Sequence, residues 1–553
     1  MMWATSVRLL RCATAALSVL TLAAAPAAAQ NAPEPASLER TIPEPVARAP
    51  SAPTIHTPDR LQPSRLRSAK QFTLGAVNIQ GAKVFSREDL SQYFEPLLAS
   101  PVDGAKLADL ARLITQRYRS SGYLLSYASI PSQNVQAGVV NLEVTEGKID
   151  RVTIDGAGAD RMAVESIAAP LLKDEPLKTA TLERVIGLIR DFPGLHVTDI
   201  ALTRSDAEAG LYGLKIRVKR NKIRGFAFAD NRGTDSFARM RYYTSASVSS
   251  LAVGGDQLQV DLFTMPGKQF RYLYGHVVGS VPLGRNGLRL AMGASMGDHY
   301  LREDEPFNGN STNISAELSY PMVRARSLTL VGKASVNSWR SSAKERGVPE
   351  LLDRLRVARV GVEFSTERRT RLQGELVVSR GLGFGGMTKA GDPLASRLKA
   401  SGRFTKAALT MRITEPLAEK FRLQGTFSGQ YSTKPLLSVE EFALGGSRIG
   451  RAFDYNEITG DHGFGAMVEA AYRLGDVKGG PKSLELFAFA DGGGTFRKYE
   501  TRQLPRKEWL ASTGVGGRFS IAGMVLAGEV GVPVVRTNAK RGVRAFFSIA
   551  RTF

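Results

Sequence analysis

Cysteine is almost absent from these 553 residues: the only one is Cys12, near the N-terminus. Beyond it neither disulfides nor thiol chemistry are available, so a fold of this size must rest on backbone pairing or a large core. No stretch supplies the roughly 20 consecutive apolar residues of a membrane-crossing helix. No G-x-x-x-x-G-K-[ST] occurs, which removes P-loop nucleotide hydrolysis as a source of work. The five histidines, His56, His196, His276, His299 and His462, stand at no metal-ligand spacing, so no metal and no other cofactor is expected. "GASMG" (Gly293 to Gly297) fits the nucleophile elbow formally, but it sits in the alternating "LRLAMGASMGD" with no strand-turn-helix context. Ser295 therefore reads as a strand serine, and the chain does not read as an enzyme.

What is present divides the chain into five parts. Arg8 and Arg11 precede an apolar run from Ala13 to Ala25, and Ala27-Ala28-Ala29 follows, which reads as a secretory signal over 1–29 cleaved between Ala29 and Gln30. Residues 30–71 are rich in Pro, Ala and Ser and read as an extended linker, with Ser37 to Arg40 able to start a short helix that Pro43 stops. Residues 72–147 and 148–221 then repeat one pattern. In the first, a strand from Phe72 to Ile79 precedes two amphipathic helices, the second carrying Leu107, Leu110, Ile114 and Tyr118 on one face. "RSSGY" ends it, and strands follow at Leu124–Ile130 and Val139–Val144. The second copy opens with "IDRVTIDG", places Leu182, Val185, Ile186 and Ile189 on its second helix, and closes with "LYGLKIRVKR". Two tandem β-α-α-β-β modules follow from this repeat of about 75 residues.

From residue 222 the apolar period becomes two. "LELFAFAD" sets Leu484, Leu486, Ala488 and Ala490 on one face and Glu485, Phe487, Phe489 and Asp491 on the other. The final "RAFFSIARTF" puts Ala545, Phe547, Ile549 and Phe553 on one face, with Arg551 in the same register. Sixteen such segments begin near Ile223, Phe237, Asp256, Phe270, Asn286, Ser311, Ser327, Leu352, Arg371, Gly402, Lys420, Gly463, Ser483, Lys507, Ala522 and Arg541. Short turns alternate with longer polar excursions such as Asp298–Asn310 and Asn337–Pro349, the asymmetry of a transmembrane β-barrel. The expected fold is thus α+β modules followed by an antiparallel barrel of about 16 strands over 222–553. A soluble β-sandwich is the alternative that the signal and the terminal Phe553 argue against.

Charge is uneven. There are 26 basic and 22 acidic residues before position 222 and 48 and 30 from there on, so the formal +22 divides as +4 and +18. The cations are spread singly through strand-like segments and not gathered in tracts, which points to a charged barrel interior or a rim facing lipopolysaccharide, and away from nucleic acid.

Three local stretches carry a resemblance. "FADNRGT" (Phe228 to Thr234), "GRAFDYNEITGDHG" (Gly450 to Gly463) and "FADGG" (Phe489 to Gly493) are similar to the first strand end, the long sixth outer loop and the Phe-x-Asp-x-Gly strand of the outer-membrane transporters of two-partner secretion. This is the haemolysin secretion/activation and filamentous haemagglutinin transporter type, whose order of signal, linker, two POTRA modules and barrel the chain follows throughout. The resemblance implies a cell outer-membrane protein whose modules, in the periplasm, capture an unfolded secreted client, a large β-helical adhesin or haemolysin, which the barrel exports. Membrane lipid and the barrel assembly machinery are implied as further partners. It also implies that the loop folds into the lumen, with Arg451 at its tip paired to Asp491. Gly450, Phe453, Asp454, Gly460, Asp461 and Gly463 match the loop motif, Phe489 and Gly493 the strand motif, and Asp230, Asn231 and Gly233 the first-strand motif. The family usually has Gly after the arginine, where this chain has Ala452. A barrel insertase of the same superfamily, usually with more POTRA modules, and a passive porin are the competing functions.

Overall fold

The computed structural model describes residues 55–56 and 71–553, apart from 136, 206–207, 234–237, 268–269, 302–306, 476–482, 500–504, 522 and 536–541. The expected signal and its Ala29–Gln30 junction, the helix at Ser37 to Arg40 and nearly all of the linker lie outside the described residues.

Two small α/β units come first. In one, strands Ala76–Gln80, Val139–Thr145 and Tyr127–Ser129 form a sheet in that spatial order, covered by helices Arg87–Phe94 and Gly104–Ser120. Each helix starts where a side chain satisfies its free N–H groups: Ser86 and Asp89 form a reciprocal capping box, and Asp103 accepts from the Lys106 N–H at 2.9 Å. Leu107, Leu110, Ile114 and Tyr118 all turn into the core with Leu90, Val140 and Leu142. The Tyr118 hydroxyl donates to Glu146 Oε1 at 2.8 Å, an oxygen that also accepts the N–H groups of Lys83 and Val84. Burial, and then that carboxylate, push the Tyr118 phenol well above its usual range.

The second unit has strands Lys148–Asp155, Leu195–Arg204 and Leu211–Arg220 with helices Arg161–Ala168 and Thr179–Arg190. Leu182, Val185, Ile186 and Ile189 are buried in its own core. The linker segment Ile55–His56 pairs in parallel with Ile200–Ala201 and occupies one edge of this sheet.

Sixteen antiparallel strands then close into a barrel. They are Ile223–Asp230, Arg241–Ser249, Gln257–Pro266, Phe270–Pro282, Arg289–Leu301, Phe307–Arg324, Leu328–Glu345, Val348–Thr366, Arg371–Gly381, Thr405–Pro416, Phe421–Ser432, His462–Gly475, Ser483–Phe496, Lys507–Ile521, Met524–Val535 and Arg544–Thr552. No start departs from the sequence expectation by more than four residues. The polar excursions at 298–310 and 337–349 are a correction: most of their residues extend the flanking strands. Arg346 and Gly347, both at positive φ, turn the second of these in two residues. The long connections are instead 382–404 and 433–461.

Alternation sorts the side chains. Leu262, Leu273, Met292, Ile314, Val468 and Leu486 are exposed on the outer wall, while Asp261, Ser295, Glu469 and Asp491 on the same strands are buried inside. Only an outward apolar belt with an inward polar face suits a closed sheet in lipid. Among the described residues no helix is long and apolar enough to cross a membrane. The first and last strands close the ring over five residue pairs, Phe226↔Thr552 to Asp230↔Ser548. Phe547, Ile549, Arg551 and Phe553 lie exposed on the outside, the guanidinium of Arg551 4.9 Å from the Phe553 ring centre.

The second α/β unit rests on the barrel rim that carries the short turns. Arg184 donates to the carbonyls of Pro321 (2.9 Å) and Asn286 (3.1 Å) and to the Tyr320 hydroxyl (3.2 Å). Arg324 grips Asp191 with two hydrogen bonds of 2.7 and 2.8 Å, and the Arg326 N–H donates to Glu183.

Candidate functional site

The connection 433–461 does not leave the barrel. Phe442–Leu444 and Ile458–Gly460 pair as a separate two-stranded hairpin against the inner face of the twelfth to fourteenth barrel strands. Phe442, Leu444, Ile449, Phe453 and Ile458 bury themselves with Met467 and Leu510 of the wall. The regular apolar spacing of the loop therefore has an inward cause: each apolar residue meets barrel side chains and not solvent.

Glycines make the bed on which the loop lies. A Cβ on Gly463 would come within 2.1 Å of the Phe442 ring, and one on Gly493 within 2.8 Å of Leu444 Cδ1 and 2.2 Å of the Phe464 carbonyl oxygen. Gly450, at φ 83°, turns the chain into the tip.

At the tip Arg451 is buried, 5% exposed, and held from five directions. Its guanidinium donates to Glu469 Oε2 at 2.7 Å and to Glu529, and stands 4.0 Å from the ring centre of Phe489. Its N–H donates to Asp491 Oδ2 at 2.9 Å, and its carbonyl accepts from Arg232 at 3.0 Å. The two expected partners thus meet, but differently from the implied pair. Asp491 holds the arginine's backbone and takes the Ser512 hydroxyl on its other oxygen, while the guanidinium passes on to the two glutamates. The reason is reach: with the main chain already bonded to Asp491, the long side chain extends beyond it along the wall. The charges interlock further, since Arg518 donates twice to Glu469, both at 2.7 Å, and Arg232 pairs with Glu529. Ala452, in the place of the family's usual glycine, is fully buried, and its methyl would lie 3.1 Å from a Cβ at Gly531. The loop carries the methyl, and the wall makes room for it with a glycine.

The other matched residues form the surroundings. Asp230 takes both 2.7 and 2.5 Å hydrogen bonds from Arg241, which also donates to Tyr455 of the loop. Asn231 continues the seam, accepting the Phe547 N–H at 2.8 Å and donating to the Ala545 carbonyl at 3.2 Å. Gly233 lies where a Cβ would fall 1.6 Å from the Ala238 carbonyl oxygen. Asp454 pairs with Arg544 of the last strand. Asp461, fully buried, accepts from Arg397 at 2.6 Å and from the N–H groups of Leu436 and Lys498, tying the loop to 382–404. A Cβ on Gly460 would press within 2.8 Å of the Phe496 nitrogen. His462 Nδ1 accepts the Ser432 N–H at 3.1 Å, a structural hydrogen bond, and Ser295 is an inward serine of the fifth strand. Glu469, Glu529, Arg232, Arg518 and Arg397 went unmarked in the sequence. Glu469 and Glu529 each interrupt an apolar run, Ala466–Ala471 and Met524–Val535, and a carboxylate there belongs on the lumen face.

A closed sixteen-stranded barrel with an outward apolar belt, a charged lumen occupied by its own loop and α/β modules at one rim defines the outer-membrane transporter class. The chain belongs to the haemolysin secretion/activation protein ShlB/FhaC/HecB family, which it matches over residues 213–519; residues 72–147 match the ShlB-type POTRA domain. It is similar to the outer membrane transporter CdiB of Dickeya dadantii (strain 3937), 23% identical with 71% of each chain covered. The hemolysin transporter protein HpmB of Proteus mirabilis is 24% identical over 70% of each chain. The structure of CdiB from Escherichia coli superposes with a TM-score of 0.74 at 17% identity, covering 94% of this chain and 95% of that one.

Proposed function

We propose that this chain is an outer-membrane exporter of a secreted partner protein, with its α/β modules in the periplasm. Unfolded client adds as a strand to a free sheet edge of the modules, where main-chain hydrogen bonds give capture without strict sequence demands. It then passes through the barrel lumen, and folding on the far side prevents its return. The observation that carries this reading is the lumenal loop: it is tied in by side chains and pairs with itself, not into the wall, so it can leave while the ring of strands stays closed. The family description and the hemolysin transporter relatives support a client of the haemolysin type. The outer rim would meet lipopolysaccharide, and the exposed Phe547, Ile549 and Phe553 would offer the assembly machinery its recognition edge during insertion. The lock residues in this scheme are Arg451 and Asp491.

Deleting the gene should remove one or a few large proteins from the culture supernatant while the outer-membrane barrel proteome stays constant. The five-pair seam between first and last strands favours one second reading, insertion of other barrels through an opened seam. That reading expects the opposite result, an unchanged supernatant and depleted outer-membrane barrels.

A further inference from the structure

The rim contact between the second α/β unit and the barrel borders an open pocket of about 370 Å³ between residues 166–181 and the turn after the fourth strand. Lys173 and Arg285 line it together with Ser166, Thr181, Asn286 and Asp174. Among the described residues neither cation's side chain makes an ion pair or hydrogen bond. Asp174 is partly occupied, since its Oδ2 accepts the Lys178 N–H at 2.9 Å. Two cations against one carboxylate leave a single positive charge, and two neutral side chains, Thr181 and Asn286, can donate hydrogen bonds, the Ser166 hydroxyl already donating to the Ala163 carbonyl at 2.7 Å.

The place of the pocket is as informative as its lining. Val277 and Val281 are exposed on the outer face of the fourth strand and Leu283, in the same parity, just past its end, a row that runs to the turn holding Arg285 and Asn286. Thr181 lies one helical turn before Arg184, and Arg184 reaches past the rim to the outward-facing Tyr320, its guanidinium carbon 5.7 Å from the ring centre. Leu172, beside Lys173, is 43% exposed. An apolar row therefore ends at a polar pocket of charge +1, on the outside of the wall.

We propose that this pocket binds the headgroup of an anionic glycerophospholipid of the leaflet on the module side, its phosphate between Lys173 and Arg285 and its acyl chains along Val277, Val281 and Leu283. The lipid then acts as a third party in the joint, bridging the unit and the barrel wall. The assignment of that leaflet rests on the function proposed above.

The test uses purified full-length protein, read by native mass spectrometry after incubation with phosphatidylglycerol. Wild type should retain one phosphatidylglycerol more than the Lys173→Gln/Arg285→Gln double variant, each single change weakening retention about fivefold, the loss of one cation near an anionic surface. Excess inorganic phosphate or glycerol phosphate should not displace the lipid. Equal retention by wild type and the double variant overturns the proposal, and so does displacement by inorganic phosphate, which would make this a free-anion site. Heat-modifiable mobility checks that all three variants keep the barrel. Lipid retention is read without any client, so a deletion strain with an unchanged supernatant would refute the export reading and leave this result standing.

Discussion

Arg451→Ala removes the guanidinium but leaves the backbone N–H that Asp491 holds. A hydrogen bond to a charged group contributes about 1.5–3 kcal/mol, and breaking an isolated buried ion pair costs about 3–5 kcal/mol. The upper range is not reached here, because Glu469 keeps both hydrogen bonds from Arg518 and Glu529 keeps Arg232, so neither carboxylate is orphaned. The expected loss is about 2 kcal/mol of loop docking, roughly thirtyfold in the docked-to-released ratio. Asp491→Ala deletes different bonds, those from the Arg451 N–H and the Ser512 hydroxyl, for a similar loss of about 2 kcal/mol. The two changes should therefore add to about 4 kcal/mol, with coupling below about 1 kcal/mol, whereas a direct side-chain pair would make the double variant no worse than either single one. The assay is maleimide labelling of Ile449→Cys, a loop position 4% exposed when docked against the wall, in folded barrel. Labelling rates follow the released population when opening is fast. Wild-type labelling in the Arg451→Ala background would show that the guanidinium does not hold the loop, and a double variant labelled no faster than a single one would refute the geometry described for the tip.

Four further outcomes follow from the same contacts. Asp461→Ala should loosen 382–404 and 433–461 against each other at a cost of about 1.5–3 kcal/mol, short of the orphaned-charge range because Arg397 keeps Glu441 at 2.9 Å and the Leu436 carbonyl at 2.7 Å, seen as faster proteolysis of both segments with barrel abundance unchanged. Gly463→Ala should unseat the hairpin through its clash with Phe442, at about 1–3 kcal/mol, and accelerate labelling at position 449; an unchanged rate would mean the ring simply moves aside. Tyr118→Phe should destabilise the first α/β unit by about 1.5–3 kcal/mol through loss of its bond to Glu146, detected as increased hydrogen exchange over 104–120. Arg184→Ala should broaden the distance distribution between spin labels on the second unit and the barrel, since one side chain bridges three acceptors across that joint.

Strand positions were legible because a barrel wall obeys a single rule along every segment: what alternates in sequence separates lipid from lumen. The helices of the α/β units were equally plain, as Leu107, Leu110, Ile114 and Tyr118 repeat with the helical period. Two kinds of feature were not. The polar run from Asn337 to Pro349 gave no sign that it pairs, because a strand projecting past the lipid belt has no apolar face to reveal it. The guanidinium of Arg451 found Glu469 on the strand that follows the loop and Glu529 three strands further on, and no local pattern says how far a long side chain travels once its own backbone is fixed. Asp491 was readable by parity with Glu485; its bond to a main-chain nitrogen was not, since any residue supplies one.

The closing seam has a consequence for how the molecule comes to exist. Its partners, Phe226 to Asp230 and Ser548 to Thr552, are separated by more than three hundred residues, the longest sequence span of any pairing in the ring. Every other neighbour in the wall is a hairpin partner or is reached across a single loop, so local contacts can zip early and cheaply, while the final junction must bring together two ends of a nearly complete sheet. A chain lacking Arg544–Thr552 would have two bare edges facing each other with nothing to join them, each a template for pairing with a neighbouring copy. On topology alone closure is expected last, and the interval before it, when both edges are bare, is where exposure to aggregation is expected to concentrate.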